Sequence, residues 1–529
     1  MTLVSVEGLT IAFDTPDGPR RVVDDVSFSV PAKGRLGLIG ESGSGKTMIG
    51  RAILNLLPPG ARIVGGRILF DGEDLLTLEP AAMRAVRGSR IGMVFQEPMT
   101  SLNPSLTVGR QMTEGPMHQQ GLTRADAERA ARQMLERVQL RDPAGALARH
   151  PHEFSGGMRQ RIMLASVLMM RPALLIADEP TTALDAVIQK EVMDLMSRLV
   201  EEEGTALILV SHDLPLVAQH TNEAVILQSG RAVETGKTGQ ILTAPRDPYT
   251  KRLVDALPTP RKGRRAATPP VVAARGVRVV FEGRRKLPWS RPAPVVAVDN
   301  VDIEIREGEI VGLVGESGSG KTTLGRALVG LAPMKAGEIR LDGAPRPPDF
   351  RRRMQIIFQD PYASLDPRMT VARIVSAGLR RFGPKGTEGE KRLREILDGV
   401  QLPLDTYGAR LPHELSGGQR QRVCIARALV THPRFVVADE PVSALDLTVQ
   451  KEVLTLLADL RERLGFSCLF VSHDMGVIEA LADRAVVMKD GRVVERADCA
   501  DLFAAPSHAY TRRLLDAVPR VPGAVERPI

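Results

Sequence analysis

A glycine-rich segment that ends in lysine and threonine occurs twice in this chain of 529 residues. Residues 40–47 and 315–322 both read GESGSGKT, and each follows a short apolar run. Glycines let several backbone N–H groups point at one phosphate chain, and the N-terminus of a following helix adds partial positive charge. The sequence therefore predicts two triphosphate sites, with the lysines on the β- and γ-phosphates. The predicted contacts are Gly40, Glu41, Ser42, Gly43, Ser44, Gly45, Lys46 and Thr47 in the first half and Gly315, Glu316, Ser317, Gly318, Ser319, Gly320, Lys321 and Thr322 in the second.

A carboxylate pair ends an apolar run in each half, Asp178 with Glu179 and Asp439 with Glu440. The aspartate can hold the magnesium shell, and the glutamate can act as the general base that orients and polarises the attacking water. A carboxylate at this place could instead cap the next helix, but the DEP sequence recurs in register, which favours the catalytic role. The predicted magnesium ligands are Thr47, Gln96, Asp178, Thr322, Gln359 and Asp439.

A glutamine and a histidine occupy matching places in the two halves. Gln96 and Gln359 follow the apolar runs MVF and IIF, and His212 and His473 each follow a β-branched run and a serine. Taken singly, such a glutamine is usually a strand end and such a histidine is usually structural. Because both recur in register, we expect the glutamines to reach the magnesium and the attacking water, and the histidines to reach the γ-phosphate.

Apolar runs lead directly into these polar positions. They read LGLI, IGMVF, LLIA and ALILV in the first half and IVGLV, MQIIF, FVVA and CLFV in the second. Runs that are apolar on both faces predict buried strands of a mostly parallel sheet, whose carboxyl ends carry ligand loops. The segment ADAERAARQMLERV predicts a separate helical lobe between Gln96 and Ser155.

The halves repeat at a nearly constant offset, which indicates a duplicated domain. Ser155 and Ser416 lie 261 residues apart, as do Tyr249 and Tyr510 in the similar segments DPYTKRLVDALP and HAYTRRLLDAVP. The phosphate loops lie 275 residues apart, so the first half is longer between this loop and Ser155. We expect the insertion to be surface-loop material such as PPGARIVGG, residues 58–66.

The boundary between the halves is rich in proline, glycine and basic residues, as in an exposed linker. We predict domains at residues 1–258 and 275–529, with a linker at residues 259–274. The basic residues of the linker are either solvated or bind lipid or nucleic acid. They are Arg261, Lys262, Arg264 and Arg265.

Composition narrows the class of protein. The net charge is +8 with a pI near 9.6, which suits nucleotides, nucleic acid or anionic lipid without choosing among them. Aromatic residues make up only 3%, which disfavours an aromatic platform for nucleic acid. Three cysteines, none in a CxxC motif, fit a reducing cytosol. No apolar run is long enough for a transmembrane helix, so we expect another chain to span any membrane at which the protein acts.

Residues 155–157 and 416–418 read SGG, which by itself is a capped helix start and an anion site. Placed after a helical lobe and before ADEP, it resembles the signature of ABC transporters. The Walker A, Q-loop, signature, Walker B, D-loop and H-loop elements of that family occur in order twice. The resemblance implies an α/β fold with two P-loop NTPase ABC domains, each with a mostly parallel core sheet, an antiparallel subdomain and a helical subdomain.

The family pairs the signature of one domain with the Walker A loop of the other, which implies two composite ATP and Mg²⁺ sites. One would join Lys46 to residues 416–418, and the other would join Lys321 to residues 155–157. Both sites keep the lysine, glutamate and histidine, so we expect both to hydrolyse ATP. The implied signature residues are Ser155, Gly156, Gly157, Ser416, Gly417 and Gly418, and the implied D-loops are Ala183, Leu184 and Asp185 and Ala444, Leu445 and Asp446.

Two departures from the family pattern carry expectations. The first signature has Phe154 and Met158 where LSGGQ is commoner, and we expect a changed contact and not an inactive site. An aromatic residue usually stacks on adenine near the start of each domain. Phe13 and Phe281 are candidates, although each fits a strand core equally well.

The halves resemble the two ATPase subunits of oligopeptide and dipeptide importers, and the fused glutathione and microcin-type import ATPases share this layout. The resemblance implies ATP-driven closure of a clamp, two integral-membrane permease subunits, a solute-binding protein and a place on the cytoplasmic face of the inner membrane. The permeases would dock near EPMTSLNP and DPYASLDP. Many first-subunit relatives carry an iron–sulfur loop, but the first half has no cysteine, so we expect no cluster, and we expect no nucleic-acid partner.

Two other classes compete with the importer. A twin-ABC factor of translation or the ribosome also has two cassettes, but usually has a long charged helical linker between them. An ABC-type DNA-repair ATPase would need zinc modules or long coiled-coil insertions, which the sequence lacks. The short linker and the two importer-like tails favour transport.

Overall fold

The computed structural model describes residues 1–16, 18–96, 101–181, 184–259, 268–282, 294–443 and 445–519. The chain divides into two compact units, one mainly Met1–Asp255 and the other mainly Ala256–Val518. Each unit contains an antiparallel sheet, a six-stranded and mostly parallel sheet, and a set of helices. The predicted α/β fold class is confirmed in both units.

The first unit begins with its antiparallel sheet, which has the strand order Gly18–Pro31, Thr2–Thr15, Ala61–Phe70 and Glu73–Asp74. Its larger sheet has the order Arg231–Lys237, Glu223–Gln228, Arg35–Ile39, Ala206–Ser211, Leu174–Asp178 and Ile91–Val94. Neighbouring strands of the larger sheet are parallel except for the first pair of that order.

The second unit repeats this topology. Its antiparallel sheet has the order Val295–Arg306, Pro270–Phe281, Ala336–Leu341 and Ala344–Pro345. Its larger sheet has the order Met354–Ile357, Phe435–Asp439, Ser467–Val471, Ile310–Val314, Arg484–Lys489 and Arg492–Asp498. Only the last pair is antiparallel.

Helices cover the sheets and form the helical lobes. The helices of the first unit are Lys46–Ile53, Pro80–Val86, Val108–Gln119, Arg124–Arg137, Pro143–Ala148, Gly156–Leu168, Ala186–Glu203, Leu214–His220, Thr238–Thr243 and Pro248–Asp255, with a 3₁₀ turn at Pro151–Glu153. Those of the second are Lys321–Leu328, Phe350–Arg353, Pro361–Ser364, Val371–Phe382, Thr387–Gly399, Leu404–Tyr407, Gly417–Leu429, Leu447–Leu464, Met475–Leu481, Cys499–Ala504 and Ala509–Asp516, with a 3₁₀ turn at Pro412–Glu414. No helix within these described ranges is long and apolar enough to cross a membrane.

The predicted apolar runs form the central strands of the larger sheets. Every residue of Leu174–Asp178, Ile310–Val314 and Phe435–Asp439 is buried. Such strands are covered on both faces, which explains why their sequence does not alternate between apolar and polar residues. The helix after each phosphate loop packs into the same core, where Ile49 and Leu324 are fully buried. The core therefore fixes both ends of the phosphate loop.

The prediction of surface loop for residues 58–66 is wrong from Ala61 onward, because Ala61–Phe70 forms a strand of the antiparallel sheet. Gly66 has a φ of 92°, and a Cβ on it would lie 2.5 Å from the Gly8 carbonyl oxygen. The pairing shifts register between Glu7 and Thr10, so the glycine serves a β-bulge. Sequence reasoning took the glycines as a loop signal when they permit a close approach of two strands.

The predicted linker, residues 259–274, overlaps the second unit. The strand Pro270–Phe281 begins inside it, so residues 270–274 belong to the antiparallel sheet. Residues 260–267, which include the four basic residues of the linker, lie outside the described ranges.

Candidate functional site

Each phosphate loop connects a central strand to a helix. Gly45 and Gly320, the last residues before the two helices, both have a φ of 99°, a left-handed conformation that favours glycine. A Cβ on Gly40 would lie 2.3 Å from the Leu227 carbonyl oxygen, so the backbone has no space for a side chain there. The loops have the tight, N–H-rich form that a phosphate chain requires.

The loop lysines lie inside these curves. Lys46 Nζ donates hydrogen bonds to the carbonyl oxygens of Gly40 at 2.7 Å and Glu41 at 2.8 Å. Lys321 Nζ does the same with Gly315 and Glu316 at the same two distances. Both lysines are buried. The loop carbonyls therefore hold both ammonium groups inside the loops.

A threonine and an aspartate meet beside each loop. Thr47 Oγ1 donates to Asp178 Oδ1 at 3.0 Å, and Thr322 Oγ1 donates to Asp439 Oδ1 at 2.8 Å. Burial raises the pKa of both aspartates above the ordinary value. Asp439 Oδ2 is buried and accepts no hydrogen bond from the described residues, and the Arg326 guanidinium lies 3.8 Å from it. This donor set, two hard oxygens with one carboxylate oxygen left over, fits a divalent cation such as Mg²⁺.

The first catalytic candidate, Glu179, lies between two polar side chains. Gln96 Nε2 donates to Glu179 Oε2 at 2.9 Å, and His212 Nδ1 lies 3.1 Å from Glu179 Oε1. The hydrogen bond with Glu179 raises the pKa of His212, and burial opposes this only in part. Residues predicted separately from three strand ends thus form one cluster.

The second cluster has the same composition. Gln359 Nε2 donates to Glu440 Oε2 at 2.8 Å, and His473 Nδ1 lies 3.1 Å from the same oxygen. Burial raises the pKa of Glu440, but the His473 hydrogen bond and the charges of His473 and Lys321 outweigh it, so the pKa lies below its ordinary value. The same contact raises the pKa of His473. Glu440 is therefore ionised at neutral pH and able to accept a proton.

Both glutamates have an unusual backbone. Glu179 has a φ of 45° and Glu440 has a φ of 46°. Residues other than glycine rarely adopt this left-handed region of backbone conformation. Their N–H groups donate to Val210 O at 2.9 Å and to Val471 O at 3.0 Å, which holds them to the neighbouring strand. Strain of this kind costs about 1–3 kcal/mol and gathers at functional sites. The same strained backbone is therefore present at both glutamates.

The SGG segments start the helices Gly156–Leu168 and Gly417–Leu429 in their respective units. Ser155 Oγ accepts from the Met158 N–H at 3.4 Å, and Ser416 Oγ accepts from the Gln419 N–H at 3.3 Å. Gln419 Oε1 also accepts from the Ser416 N–H at 3.0 Å, a reciprocal cap that Met158 cannot make. The departure at Met158 therefore changes the cap of the helix.

A Cβ on Gly157 would lie 2.5 Å from Ile188 Cγ2, and one on Gly418 would lie 2.5 Å from Val449 Cγ1. Both glycines thus allow each signature helix to pack on the helix that follows its D-loop. In the D-loops, Asp185 Oδ1 accepts from the Ile188 N–H at 3.1 Å, while Ala183 and Ala444 lie outside the described residues.

The adenine-stacking candidates lie on the antiparallel sheets. Phe13 is half-buried and pairs with Arg20, and Phe281 is 45% exposed and pairs with Val295. The strand backbone against the first phosphate loop is that of Val22, whose carbonyl oxygen lies 2.7 Å from the place of a Cβ on Gly45. The stacking role stays a prediction for both phenylalanines.

The proposed docking segments differ in how much of them is described. Residues 97–100 of EPMTSLNP lie outside the described ranges. In DPYASLDP, Tyr362 is 64% exposed, and the Arg420 guanidinium lies 3.8 Å from the centre of its ring. An exposed aromatic side chain of this kind suits a protein contact, and permease docking there stays a prediction.

Sequence reasoning missed one pair of residues at the phosphate loops. The hydroxyl of Tyr249 accepts a hydrogen bond from the Glu41 N–H at 3.2 Å, and that of Tyr510 accepts one from the Glu316 N–H at 2.9 Å. The signal that could have found them is their shared offset of 261 residues, equal to that of the signature serines.

Comparison with known families gives two matches in each half. The model of the ABC transporter family matches residues 23–182 and 298–443, which include both phosphate loops and both carboxylate pairs. A model of the oligopeptide/dipeptide transporter, C-terminal region, matches residues 233–277 and 494–527, which include Tyr249 and Tyr510.

Curated relatives are similar along almost the whole chain. The peptidoglycan transport ATP-binding protein YejF of Agrobacterium fabrum is 44% identical over 528 residues, which cover 97% of this chain and 96% of that protein. The glutathione import ATP-binding protein GsiA of Escherichia coli is 40% identical over 567 residues, which cover 99% of this chain and 91% of that protein.

Solved structures match about one half of the chain each. A dimeric post-hydrolysis state of the ATP-binding cassette MJ0796 with ADP and Pi has a TM-score of 0.41 and 23% identity, covering 44% of this chain and 98% of that chain. The structure of cbiO1 from Clostridium perfringens has a TM-score of 0.39 and 26% identity, covering 45% of this chain and 91% of that chain.

Proposed function

This chain belongs to the ABC transporter family, and on that premise we propose that its ATP hydrolysis drives import of peptides or related small solutes. ATP-binding proteins of this family are ATPases, and this chain is a nucleotide-binding ATPase with two cassettes. The observation that carries the solute class is the oligopeptide/dipeptide transporter region in both tails. Relatives named for transport of peptidoglycan and import of glutathione support this class over a ribosome-associated factor.

Each nucleotide site is proposed to be shared between the cassettes. The loop at Lys46 would act with the signature at residues 416–418, and the loop at Lys321 would act with residues 155–157. In each site the lysine binds the β- and γ-phosphates, and the signature helix N-terminus adds N–H donors and positive partial charge. The proposal divides the chain into cassettes at residues 1–258 and 275–529 with a linker at residues 259–274, of which residues 270–274 begin a strand of the second cassette.

The glutamates are proposed as general bases. Glu179 and Glu440 each accept a hydrogen bond from a glutamine and lie against a histidine, and these two contacts fix the position of the carboxylate. Fixed in this way, a carboxylate can orient a water molecule and take its proton. The histidines, whose pKa is raised, are proposed to contact the γ-phosphate with their other nitrogen.

Magnesium is proposed to bind beside each phosphate loop. Thr47, Gln96 and Asp178 would hold it in the first site, and Thr322, Gln359 and Asp439 would hold it in the second. When bound, the ion would neutralise charge on the phosphates. Asp439 supports this proposal through its buried oxygen that accepts no hydrogen bond from the described residues.

The partners are proposed from the relatives. Two integral-membrane permeases and a solute-binding protein would complete the importer, and the chain would lie on the cytoplasmic face of the inner membrane. ATP would favour the closed clamp because it binds that state more tightly than the open one. No nucleic-acid partner and no iron–sulfur cluster are part of the proposal.

The test is recovery and reconstitution of the complete transporter. The tagged chain, purified from gently solubilised membranes, is expected to bring two small integral-membrane proteins, and the reconstituted complex is expected to take up labelled tripeptide with ATP. A control chain with both Lys46→Ala and Lys321→Ala should bind the permeases but support no uptake. Recovery with ribosomes and without membrane proteins would contradict the importer function.

A further inference from the structure

The last described helix of each unit reaches back to the phosphate loop of the same unit. Pro248–Asp255 and Ala509–Asp516, called here the tail helices, each carry one tyrosine near the first turn. These tyrosines are only 4% and 5% exposed. Their hydroxyls accept the hydrogen bonds from the Glu41 and Glu316 N–H groups described above. The tail helices thus touch the nucleotide sites, although they lie about 200 residues away in sequence.

The peptide that the tyrosine binds is also the one that holds the catalytic lysine. The N–H of Glu41 donates to Tyr249, and the carbonyl of the same peptide group, that of Gly40, accepts from Lys46 Nζ at 2.7 Å. In the second unit the peptide between Gly315 and Glu316 makes the same two contacts, its N–H to Tyr510 and its carbonyl to Lys321. Movement of the hydroxyl would therefore move this peptide, and with it the carbonyl that holds the lysine ammonium group.

The tail helices are anchored to the last strand of the larger sheet. Glu234 accepts hydrogen bonds from the N–H groups of Arg246 at 3.0 Å and Asp247 at 3.1 Å. Glu495 accepts from the N–H groups of Ser507 at 2.6 Å and His508 at 3.1 Å. Each carboxylate thus fixes the chain just before the tail helix, so the tyrosine is presented from a rigid support.

The surroundings of the two tyrosines differ, whereas the contact does not. Arg252 lies 5.6 Å from the centre of the Tyr249 ring, and Lys489 lies 5.1 Å from the centre of the Tyr510 ring, one cation from the helix itself and one from a strand. Each unit nevertheless has its own hydrogen bond between the tyrosine hydroxyl and the phosphate loop. A tail helix could pack here without a hydroxyl group. Because both tail helices nevertheless carry one, we attribute the hydroxyl to its contact with the phosphate loop.

We propose that Tyr249 and Tyr510 are positioning residues that hold each phosphate loop in its ATP-binding conformation, so that docking of the tail helix sets ATP affinity. The inference rests on the proposed nucleotide sites at Lys46 and Lys321. Without the hydroxyl, a smaller fraction of the molecules would have the loop in its ATP-binding conformation. The apparent affinity for ATP would fall in proportion to that fraction. The Glu179 and Glu440 clusters do not include the tyrosines, so the chemical step should be unaffected.

The test measures ATP binding one site at a time in the full chain. Glu179→Gln and Glu440→Gln stop hydrolysis, and Lys321→Ala disables the second site, so calorimetry with ATP and Mg²⁺ reports only the first. In this parent, Tyr249→Phe is expected to raise Kd about fivefold, the size of one lost hydrogen bond. Thr250→Val is the matched control, because Thr250 is the next residue, is fully buried and has a hydroxyl with no partner among the described residues.

The control should bind as its parent does, and Tyr510→Phe should matter only in the reciprocal parent with Lys46→Ala. With catalytic glutamates and lysines intact, each tyrosine change should raise KM for ATP and leave kcat within about twofold. Binding by Tyr249→Phe equal to the parent, or an equal loss in Thr250→Val, would overturn the positioning role. If the lysine variants still bind two ATP per chain, the proposed nucleotide sites themselves are wrong.

Discussion

The proposed catalytic clusters of the two cassettes agree closely, whereas the segments that surround them differ in length and sequence. The threonine–aspartate distances are 3.0 and 2.8 Å, and the glutamine–glutamate distances are 2.9 and 2.8 Å. Meanwhile the third strand of the antiparallel sheet has ten residues in the first unit and six in the second. The two copies of the fold thus agree at the proposed nucleotide sites and differ at the periphery.

The signature helices show a difference nearer to the sites. Gln419 closes a reciprocal cap with Ser416, but the first helix has only the Ser155 hydroxyl bonded to the Met158 N–H. The second helix start therefore satisfies one more N–H group by a side chain of its own first turn. The cassettes are chemically matched, and they differ in how firmly the signature is fixed.

The largest expected effect tests whether the matched clusters do the same work. The double change Glu179→Gln and Glu440→Gln removes both proposed bases and should lower kcat by about 10²–10⁴-fold, because an amide cannot accept the proton of water. ATP binding should remain, since the phosphate loops are unaltered. Steady-state hydrolysis and equilibrium binding are measured on the same preparation, and a double variant that hydrolyses normally would show that the bases lie elsewhere.

The cap difference can be exchanged between the cassettes. Gln419→Met removes the reciprocal cap and should destabilise its unit by about 1 kcal/mol, and Met158→Gln should stabilise the first by up to a similar amount. Urea unfolding measures the stability of both variants. Hydrogen exchange in helices Gly156–Leu168 and Gly417–Leu429 shows whether the change lies in the signature helix. If Gln419→Met leaves exchange in its helix unchanged, the cap does not stabilise the signature.

The smallest expected effect concerns the tail anchors. Burial raises the pKa of Glu495, but hydrogen bonds from the Ser507 hydroxyl and from the N–H groups of Ser507 and His508 outweigh it and lower the pKa from 4.5 to about 2. A lowered pKa in the folded state stabilises the fold above the ordinary carboxyl pKa, and this contribution is lost as the pH falls through the lowered value. The stability difference between the parent and Glu495→Gln should therefore be constant above pH 4.5 and shrink toward pH 2.

The measurement for Glu495 is urea unfolding of both chains from pH 7 to the lowest pH at which they remain folded. The exposed Glu128→Gln, on helix Arg124–Arg137, serves as the control for removing one carboxylate. A stability difference that grew as the pH fell would contradict the role given to Glu495.

Much of the site could be predicted from the sequence because its parts lie at the ends of strands with a distinct pattern. A run such as LLIA is apolar on both faces, so it can only be buried, and the carboxylates that follow it must lie at a sheet edge. The cluster of Gln96, Glu179 and His212 follows from three such strand ends. Each of these residues alone could be either structural or functional, and its recurrence at the matching place in the second half favoured the functional role.

The remaining features depend on contacts that a linear pattern does not carry. Gly65 and Gly66 have the composition of a loop, and only the pairing with Gly8 and Thr10 shows a bulge within a strand. Tyr249 meets Glu41 across 208 residues of sequence, through a helix whose own pattern predicts only packing. Such long-range contacts are fixed by the docking of whole elements.

The most direct test of two complete sites in one chain is the number of ATP molecules bound per chain. Equilibrium dialysis of the Glu179→Gln, Glu440→Gln double variant with labelled ATP and Mg²⁺ is expected to give two ATP per chain. Adding either Lys46→Ala or Lys321→Ala should reduce this to one. A value of one ATP per chain before any lysine is changed would contradict the presence of two matched sites.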